Sequence, residues 1–376
     1  MSGAPTSVVE LAQELVRIPS VNPDGDPGTT RTGEEACASY LHGLLASLGA
    51  DVRLDEVLPG RPNVVARFPA PGAKPRLLFA PHTDTVSVAG MTIDPFGGEI
   101  RDGKLYARGA SDAKGPMAAM LWALNECRHI LPDLTHEIWF AGLVSEEAGQ
   151  DGAKALAARE KFDFVVVGEP TGLDVVFKHK VAVTARIVAT GLSAHSSCPE
   201  RGENAITKLA SGLLSLQEAL ADHFKQIEDP VLGRPTSSIG TIRGGTKFNI
   251  VPDHAEAVVD LRLLPSQWKD REAEEVFRVM REACPGLVIE RLYGSPALDT
   301  DPAHPLVAKL SAAGGNLVGA AWFCDAAVFS ALGIPAVAVG PGSITQAHTE
   351  DEFIGVAELG KGVEFFKMFL HSLRVG

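Results

Sequence analysis

The stretch RLLFAPHTDT, residues 76–85, is a short apolar run that stops at Pro81 and passes at once into His82, Thr83 and Asp84. An unbroken run of this kind suits a strand covered on both faces, and the polar residues then fall at its carboxyl end. Three other runs share the form: NVVARF from Asn63, EIWFAGLV from Glu137 and FDFVVVG from Phe162. Between residues 80 and 137 lies GPMAAMLWALNECRHI, whose Pro116 is tolerated in a first helical turn and whose apolar character continues for several turns. Strands alternating with helices in this way predict a layered α/β sheet.

From about Lys180 the period changes. KVAVTARIVATG places Val181, Val183, Ala185 and Ile187 on one face, the mark of a half-exposed strand. A helix follows with Ile206, Leu209, Leu213, Leu216 and Leu220 at spacings of three and four, then strands SSIGTIRG and AEAVVDLRLL, helix REAEEVFRVMREA and strand GLVIERL. The order β-α-β-β-α-β is that of a ferredoxin-like unit. After Leu292 the buried-strand style returns in IPAVAVGPG from Ile334. The expected fold class is therefore α/β, an open mixed sheet with helices on both faces over residues 1–179 and 293–376. Inserted in it, over 180–292, is a ferredoxin-like α+β domain.

At 376 residues the chain has room for about two domains of ~150 residues each. Its hydrophobic fraction of 45% and charged fraction of 22% are those of a globular protein. A formal charge of −13 repels phosphate backbones and anionic lipid, so neither a nucleic acid nor a membrane is an expected partner. The five cysteines form no CxxC pair, which argues against a thiolate zinc site or a disulfide framework and suits a reducing compartment. The opening MSGAPTSVVELAQELV lacks a basic segment followed by an apolar run, and the chain reads as cytoplasmic.

In an open α/β sheet, ligands gather outside the carboxyl ends of the strands. The residues found there form a pattern: His82 and Asp84 after the first run, Ser145, Glu146 and Glu147 after the next, Glu169 after FVVVG, and His348 beyond AVAVGPGSITQA. Asp112 lies in the loop RGASDAKG before the Gly115–Pro116 helix. Singly, each has an ordinary explanation as a cap, a solvated loop residue or a surface histidine. Together they read as metal ligands. Histidine and carboxylate donors without thiolates suit zinc, or less often cobalt or manganese. Five ligands exceed the need of one catalytic zinc and match two cations about 3.5–4 Å apart that share a carboxylate and a water. Asp84 is placed to orient the His82 imidazole from behind. Of the adjacent pair Glu146 and Glu147, one can bind metal while the other faces the water as general base.

HTDT at His82, RGASDAKG, SEE at Ser145, GEPT at Gly168 and the late QAH resemble the motif series of the di-zinc aminoacylase and carboxypeptidase metallopeptidase family. Within that family, AHSSCPERGENAI from Ala194 and GPGSITQAH from Gly340 are most similar to the acetylornithine deacetylase branch, with succinyl-diaminopimelate desuccinylases and glutamate carboxypeptidases as relatives. The resemblance implies that His82 and Glu169 bind one zinc, that Glu147 and His348 bind the other, and that Asp112 bridges them, with Glu146 as base. It also implies a homodimer formed through the inserted domain, in which His195 reaches the partner's active site and polarises the scissile carbonyl. Asn249 in GGTKFNIVP and Arg262 in VVDLRLLP match positions that hold the substrate's carbonyl or carboxylate, although an arginine after an alternating strand is as readily a solvent-facing residue. Around Gly342 the GPGS turn either presents N–H groups to a carboxylate or simply ends a strand. Two stretches depart from the family pattern: AWFCDAA around Cys324, near the side-chain pocket the family implies, and HTDTVSV from His82, which lacks the proline often found after HTD-x-V.

The activity implied is hydrolysis of the amide bond of a small N-acyl amino acid, in arginine biosynthesis, with two zinc ions, or cobalt, per chain. Dipeptidase, carboxypeptidase or desuccinylase activity at the same site is the alternative within enzymes. A metal-free binding or scaffold protein is the alternative outside them.

Overall fold

A computed structural model describes residues 5–268 and 273–374. The chain forms two compact units. One comprises residues up to Phe177 with Thr300–Val318 and Cys324–Gly376; the other comprises Lys178–Asp299 with Gly319–Phe323.

The first unit is built on a mixed sheet whose strands run in the order Asp51–Leu58, Arg61–Arg67, Glu137–Gly142, Arg76–Phe79, Phe164–Val167 and Ala336–Ala338. Arg76–Phe79 pairs in parallel with both Glu137–Gly142 and Phe164–Val167, and Ala336–Ala338 pairs in parallel with Phe164–Val167. These four strands therefore point the same way, and the loops after residues 79, 142, 167 and 338 all leave from one edge. Strand direction alone gathers the polar residues that follow them.

Alternate side chains of the same strands feed two faces. Leu77, Phe79, Ile138, Phe140, Phe164 and Val166 join a buried cluster with helices Val8–Arg17, Glu35–Ser47, Lys114–Cys127 and Val356–Ser372. On the opposite face Trp139 meets the edge of Phe162, which in turn meets Phe329 of helix Ala326–Ala331. Helix Lys114–Cys127 is buried around nearly its whole circumference, which is why its sequence shows no polar stripe. Even Lys114 is enclosed, and its ammonium donates to the carbonyls of Leu15 and Ile18 at the C-terminal end of helix Val8–Arg17, where the helix dipole favours a cation.

The second unit is an antiparallel sheet in the order Thr236–Gly244, His254–Leu263, Val181–Thr190 and Val288–Ser295. Helices Ala205–Phe224 and Glu274–Ala283 pack on one face, burying Leu209, Leu213, Leu216 and Leu220 against Val183, Ala185 and Ile187. This is the β-α-β-β-α-β order of the ferredoxin-like fold. Among the described residues, no helix is long and apolar enough to cross a membrane.

Phe366 is fully buried and packs edge-on to both Phe79 and Phe365, at centroid distances of 5.9 and 5.4 Å. Truncation there leaves a cavity beneath the central strand. Phe366→Ala is expected to destabilise the first unit by about 3–5 kcal/mol, measured as a loss in denaturant-unfolding free energy; a change below ~1 kcal/mol would contradict the packing described.

Candidate metal centre

His82 follows strand Arg76–Phe79 and is 1% exposed. Its Nδ1 lies 3.0 Å from the backbone carbonyl of Asp84 and 3.4 Å from the Asp84 carboxylate, so the main chain rather than the carboxylate makes the closer contact behind the ring. Its Nε2 faces Asp112 Oδ1 at 3.1 Å. The Asp84 carboxylate accepts hydrogen bonds elsewhere: from the Asn22 side chain at 2.8 Å and from the backbone N–H groups of Glu146 and Glu147, both at 3.1 Å. Burial opposes its charge, but the contacts with His82 and these donors hold its carboxyl below the usual range.

The turn that carries Glu146 and Glu147 is held from two sides. Ser145 takes a left-handed φ of 65°, reversing the chain just after Val144. Its N–H donates to Glu34, a fully buried carboxylate gripped by both Arg61 Nε and Nη2 at 2.7 Å. Bidentate arginine contacts of this geometry fix a carboxylate in one orientation.

The carboxylates and imidazoles then converge. Ligating atoms of His82, Asp112 and Glu169 lie within 4.8 Å of one another, as do those of Asp112, Glu147 and His348, and those of His82, Glu146 and Glu147. The first two groups share Asp112: its other oxygen is 3.5 Å from His348 Nε2, which also lies 3.2 Å from Glu147. Buried oxygens Glu147 Oε1 and Glu169 Oε1 have no hydrogen-bond partner among the described residues. Carboxylate oxygens buried in this state are costly unless a cation completes them, so the donor set fits divalent metal.

Electrostatics agree with that fit. Burial, then the neighbouring carboxylates, pushes Glu146 and Glu169 well above the usual carboxyl range, and Glu147 is raised by burial and by Asp112. Asp112, facing both histidines, is instead held low despite its burial. Asp325, also fully buried, is pushed by burial up to about 7.

Of the remaining predicted residues, Gly342 belongs to this unit. Its φ is +92°, and a Cβ there would stand 2.5 Å from Ser111 Oγ, so the position requires glycine for chain geometry. Its carbonyl accepts from the Gly172 N–H at 2.8 Å. His195, Asn249 and Arg262 belong to the second unit. His195 pairs with Ile250 in a two-stranded ribbon, and the Asn249 carbonyl accepts from the Ser196 N–H. The Ser197 N–H donates to His195 Nδ1 at 3.2 Å, so in the neutral ring Nδ1 is the acceptor and the proton sits on the exposed Nε2. Arg262 lies on a different sheet, with Nε donating to Asp260 at 2.8 Å and its guanidinium over the Phe323 ring.

Glu34, Asp325 and Glu352 went unnoticed in the sequence as contributors. Glu352 follows His348 by four residues and accepts from the backbone N–H groups of Gly109, Ser111 and Asp112. Asp325 stands in the atypical AWFCDAA segment. Apart from these adjacencies no motif points to them.

A histidine and carboxylate cluster at the strand ends of this fold, buried except at His348, is the kind of donor set that metal-dependent hydrolases use. Residues 78–372 match the model of Peptidase family M20/M25/M40, and the chain belongs to that family. The acetylornithine deacetylase of Proteus mirabilis is 32% identical, with 93% of this chain and 92% of that protein covered. Among solved structures, aminopeptidase PepT from Bacillus cereus matches with a TM-score of 0.76 at 25% identity, covering 97% of this chain and 98% of that one. The metallo-carboxypeptidase Sso-CP2 from Sulfolobus solfataricus shares the fold at a TM-score of 0.78 and 20% identity, covering 97% and 99%.

In cation-free protein, hydrogen bonds from Asp112 and then Glu147 lift His348 to about 10, above its value of about 6.5 in an unfolded chain. A raised histidine stabilises the fold fully below the unfolded value and loses that contribution as pH climbs through the folded one. The melting-temperature gap between the parent and His348→Gln, both stripped of metal, should be widest near pH ~6 and should narrow steadily towards pH ~10. A gap that widens over that interval would contradict the ion-pair geometry.

Proposed function

We propose that the chain removes the acyl group from a small N-acyl amino acid, with N-acetylornithine as the leading substrate and arginine biosynthesis in the cytoplasm as its setting. The observation that carries metal-dependent amide hydrolysis is the pair of ligand groups sharing Asp112, with Glu146 beside them, and the 32% identity to an acetylornithine deacetylase over 93% of this chain supports the acyl substrate. Their chemistry suits two divalent cations, zinc first and cobalt second. His82 and Glu169 would hold one, Glu147 and His348 the other, with Asp112 between. When bound, the cations would supply Lewis-acid polarisation of the carbonyl and a lowered pKa for water.

The chain's own residues perform the proton transfers. Glu146 accepts a proton from the attacking water, whose oxygen forms a bond to the carbonyl carbon. As the C–N bond breaks, Glu146 returns that proton to the leaving nitrogen, giving a carboxylic acid and a free amine. Asp84 fixes the base by holding the Glu146 N–H, which removes the freedom of the turn before reaction begins. His195, presented by a second copy in a homodimer, donates from Nε2 to the carbonyl oxygen as charge develops there; donors of this type contribute about 2.7–4 kcal/mol. Arg262 and Asn249 are the residues that bind the substrate's carboxylate and carbonyl, and the turn at Gly342 is the one that presents backbone N–H groups to a carboxylate.

A second reading keeps the centre and places a dipeptide or C-terminal peptide bond in it, favoured by the 25% identity to an aminopeptidase. Turnover of N-acetylornithine, N-acetylcitrulline, N-succinyl-diaminopimelate and simple dipeptides by zinc-loaded protein decides between the two. Chelation should abolish activity and zinc or cobalt should restore it. Glu146→Gln should lower kcat by about 10²–10⁴-fold while cation binding survives. Full turnover in that variant would remove Glu146 from the reaction. For the shared site, mixing His195→Ala chains with Glu146→Gln chains should recover activity that neither has alone, and no recovery would return the histidine to a local role.

A further inference from the structure

We propose that Glu352 is a positioning residue for the metal centre, acting through the backbone on Asp112. The proposal rests on the reading of Asp112 as the ligand common to two cations. Glu352 is 0% exposed and touches none of the ligating atoms. Both its oxygens are committed to one short loop. Oε1 accepts from the N–H groups of Ser111 and Asp112 at 2.8 and 2.9 Å, and Oε2 accepts from the Gly109 N–H at 3.0 Å and from Arg108 Nη1 at 2.7 Å. Every donor lies between residues 108 and 112. The acceptor lies some 240 positions away along the chain, on the segment that carries His348.

The consequence is geometric. Asp112 must aim one carboxylate oxygen at His82 and the other towards His348, which fixes where its Cα stands. Its own side chain cannot impose that position. The loop contains Gly109 at a φ of +82°, a conformation most open to glycine, so its backbone depends on hydrogen bonds to hold it in place. Glu352 supplies three of them, accepting from three N–H groups with one carboxylate, while Arg108 Nη1 holds its Oε2 at 2.7 Å and is itself tied to the Ser87 carbonyl at 3.0 Å. Glu352 also leads into strand Phe353–Gly355, which pairs with Lys104–Tyr106, so its carboxylate joins that pairing, the Ala107 N–H bond to its own carbonyl and the Ser111–Ser343 contacts in registering the arms that bear Asp112 and His348. Glu34 holds the Ser145 turn by related means, with Arg61 as its counter-ion.

Glu352→Gln keeps the shape but turns one acceptor into a donor facing an N–H or Arg108, so the loop must move. The test is calorimetric titration of chelator-stripped parent and variant with zinc, alongside the melting temperature of each without metal. The parent should bind two cations per chain, and the variant, folded by circular dichroism, should bind them about 10–100-fold more weakly. If Glu352 served stability alone, the variant would melt earlier yet bind zinc as the parent does, which would overturn the proposal. A parent that binds no cation would overturn the metal-centre reading and this proposal with it. Where Glu352→Gln does not fold, Glu352→Asp, which keeps the charge and shortens the reach, is judged by the same two measurements.

Discussion

The first unit's centre is governed by the cost of burying several carboxylates against one another. Asp112, Glu146, Glu147 and Glu169 crowd around two imidazoles, and burial drives three of the four acids well up or partly up their titration range. Like charges at this separation cannot all remain ionised without positive charge among them. The surrounding structure reads as the answer to that constraint. Anions that merely hold the frame, Glu34 and Glu352, each have an arginine of their own and so add no net charge to the centre. The acids at the centre have only histidines, and some of their oxygens have no hydrogen-bond donor among the described residues. A distinction between neutralised framework carboxylates and unneutralised central ones is what separates a site prepared for cations from an ordinary buried salt-bridge network.

Much of this is visible from strand ends. Short apolar runs are legible because a strand covered on both faces admits little else, and parallel neighbours place their following residues on one edge without further instruction. That is how residues as distant as His82 and His348 could be considered together. The alternation in Val181–Thr190 and the three-four spacing in Ala205–Phe224 made the second unit's order equally readable. Gly319–Phe323 was not readable as part of that unit, because five residues carry no periodicity of their own.

Two of the three carboxylates that the sequence left hidden share one physical character. Glu34 and Glu352 act on backbone N–H groups, and a main-chain donor leaves no trace in residue type. Asp84 shows the same limit within a residue that was noticed: its place behind the His82 ring could be anticipated, whereas its grip on the turn at Glu146 and Glu147 depends on how two loops meet. His195 is the reverse case. Its neighbours Ser196 and Ser197 stand beside it in the sequence, but only the geometry of the turn shows that Nδ1 is engaged by the Ser197 N–H and hydroxyl, leaving Nε2 as the free ring nitrogen.

Asp84 holds peptide groups and not the side chains attached to them, and this has a bearing on how such a scaffold diversifies. A turn anchored by its amides depends less on what its Cβ atoms carry, so exchanges at positions 146 and 147 can change the side chains without removing the bonds that Asp84 makes to the turn. Chemistry on this fold is thereby open to revision one side chain at a time, by mutation in nature or at the bench, without rebuilding the architecture that presents it.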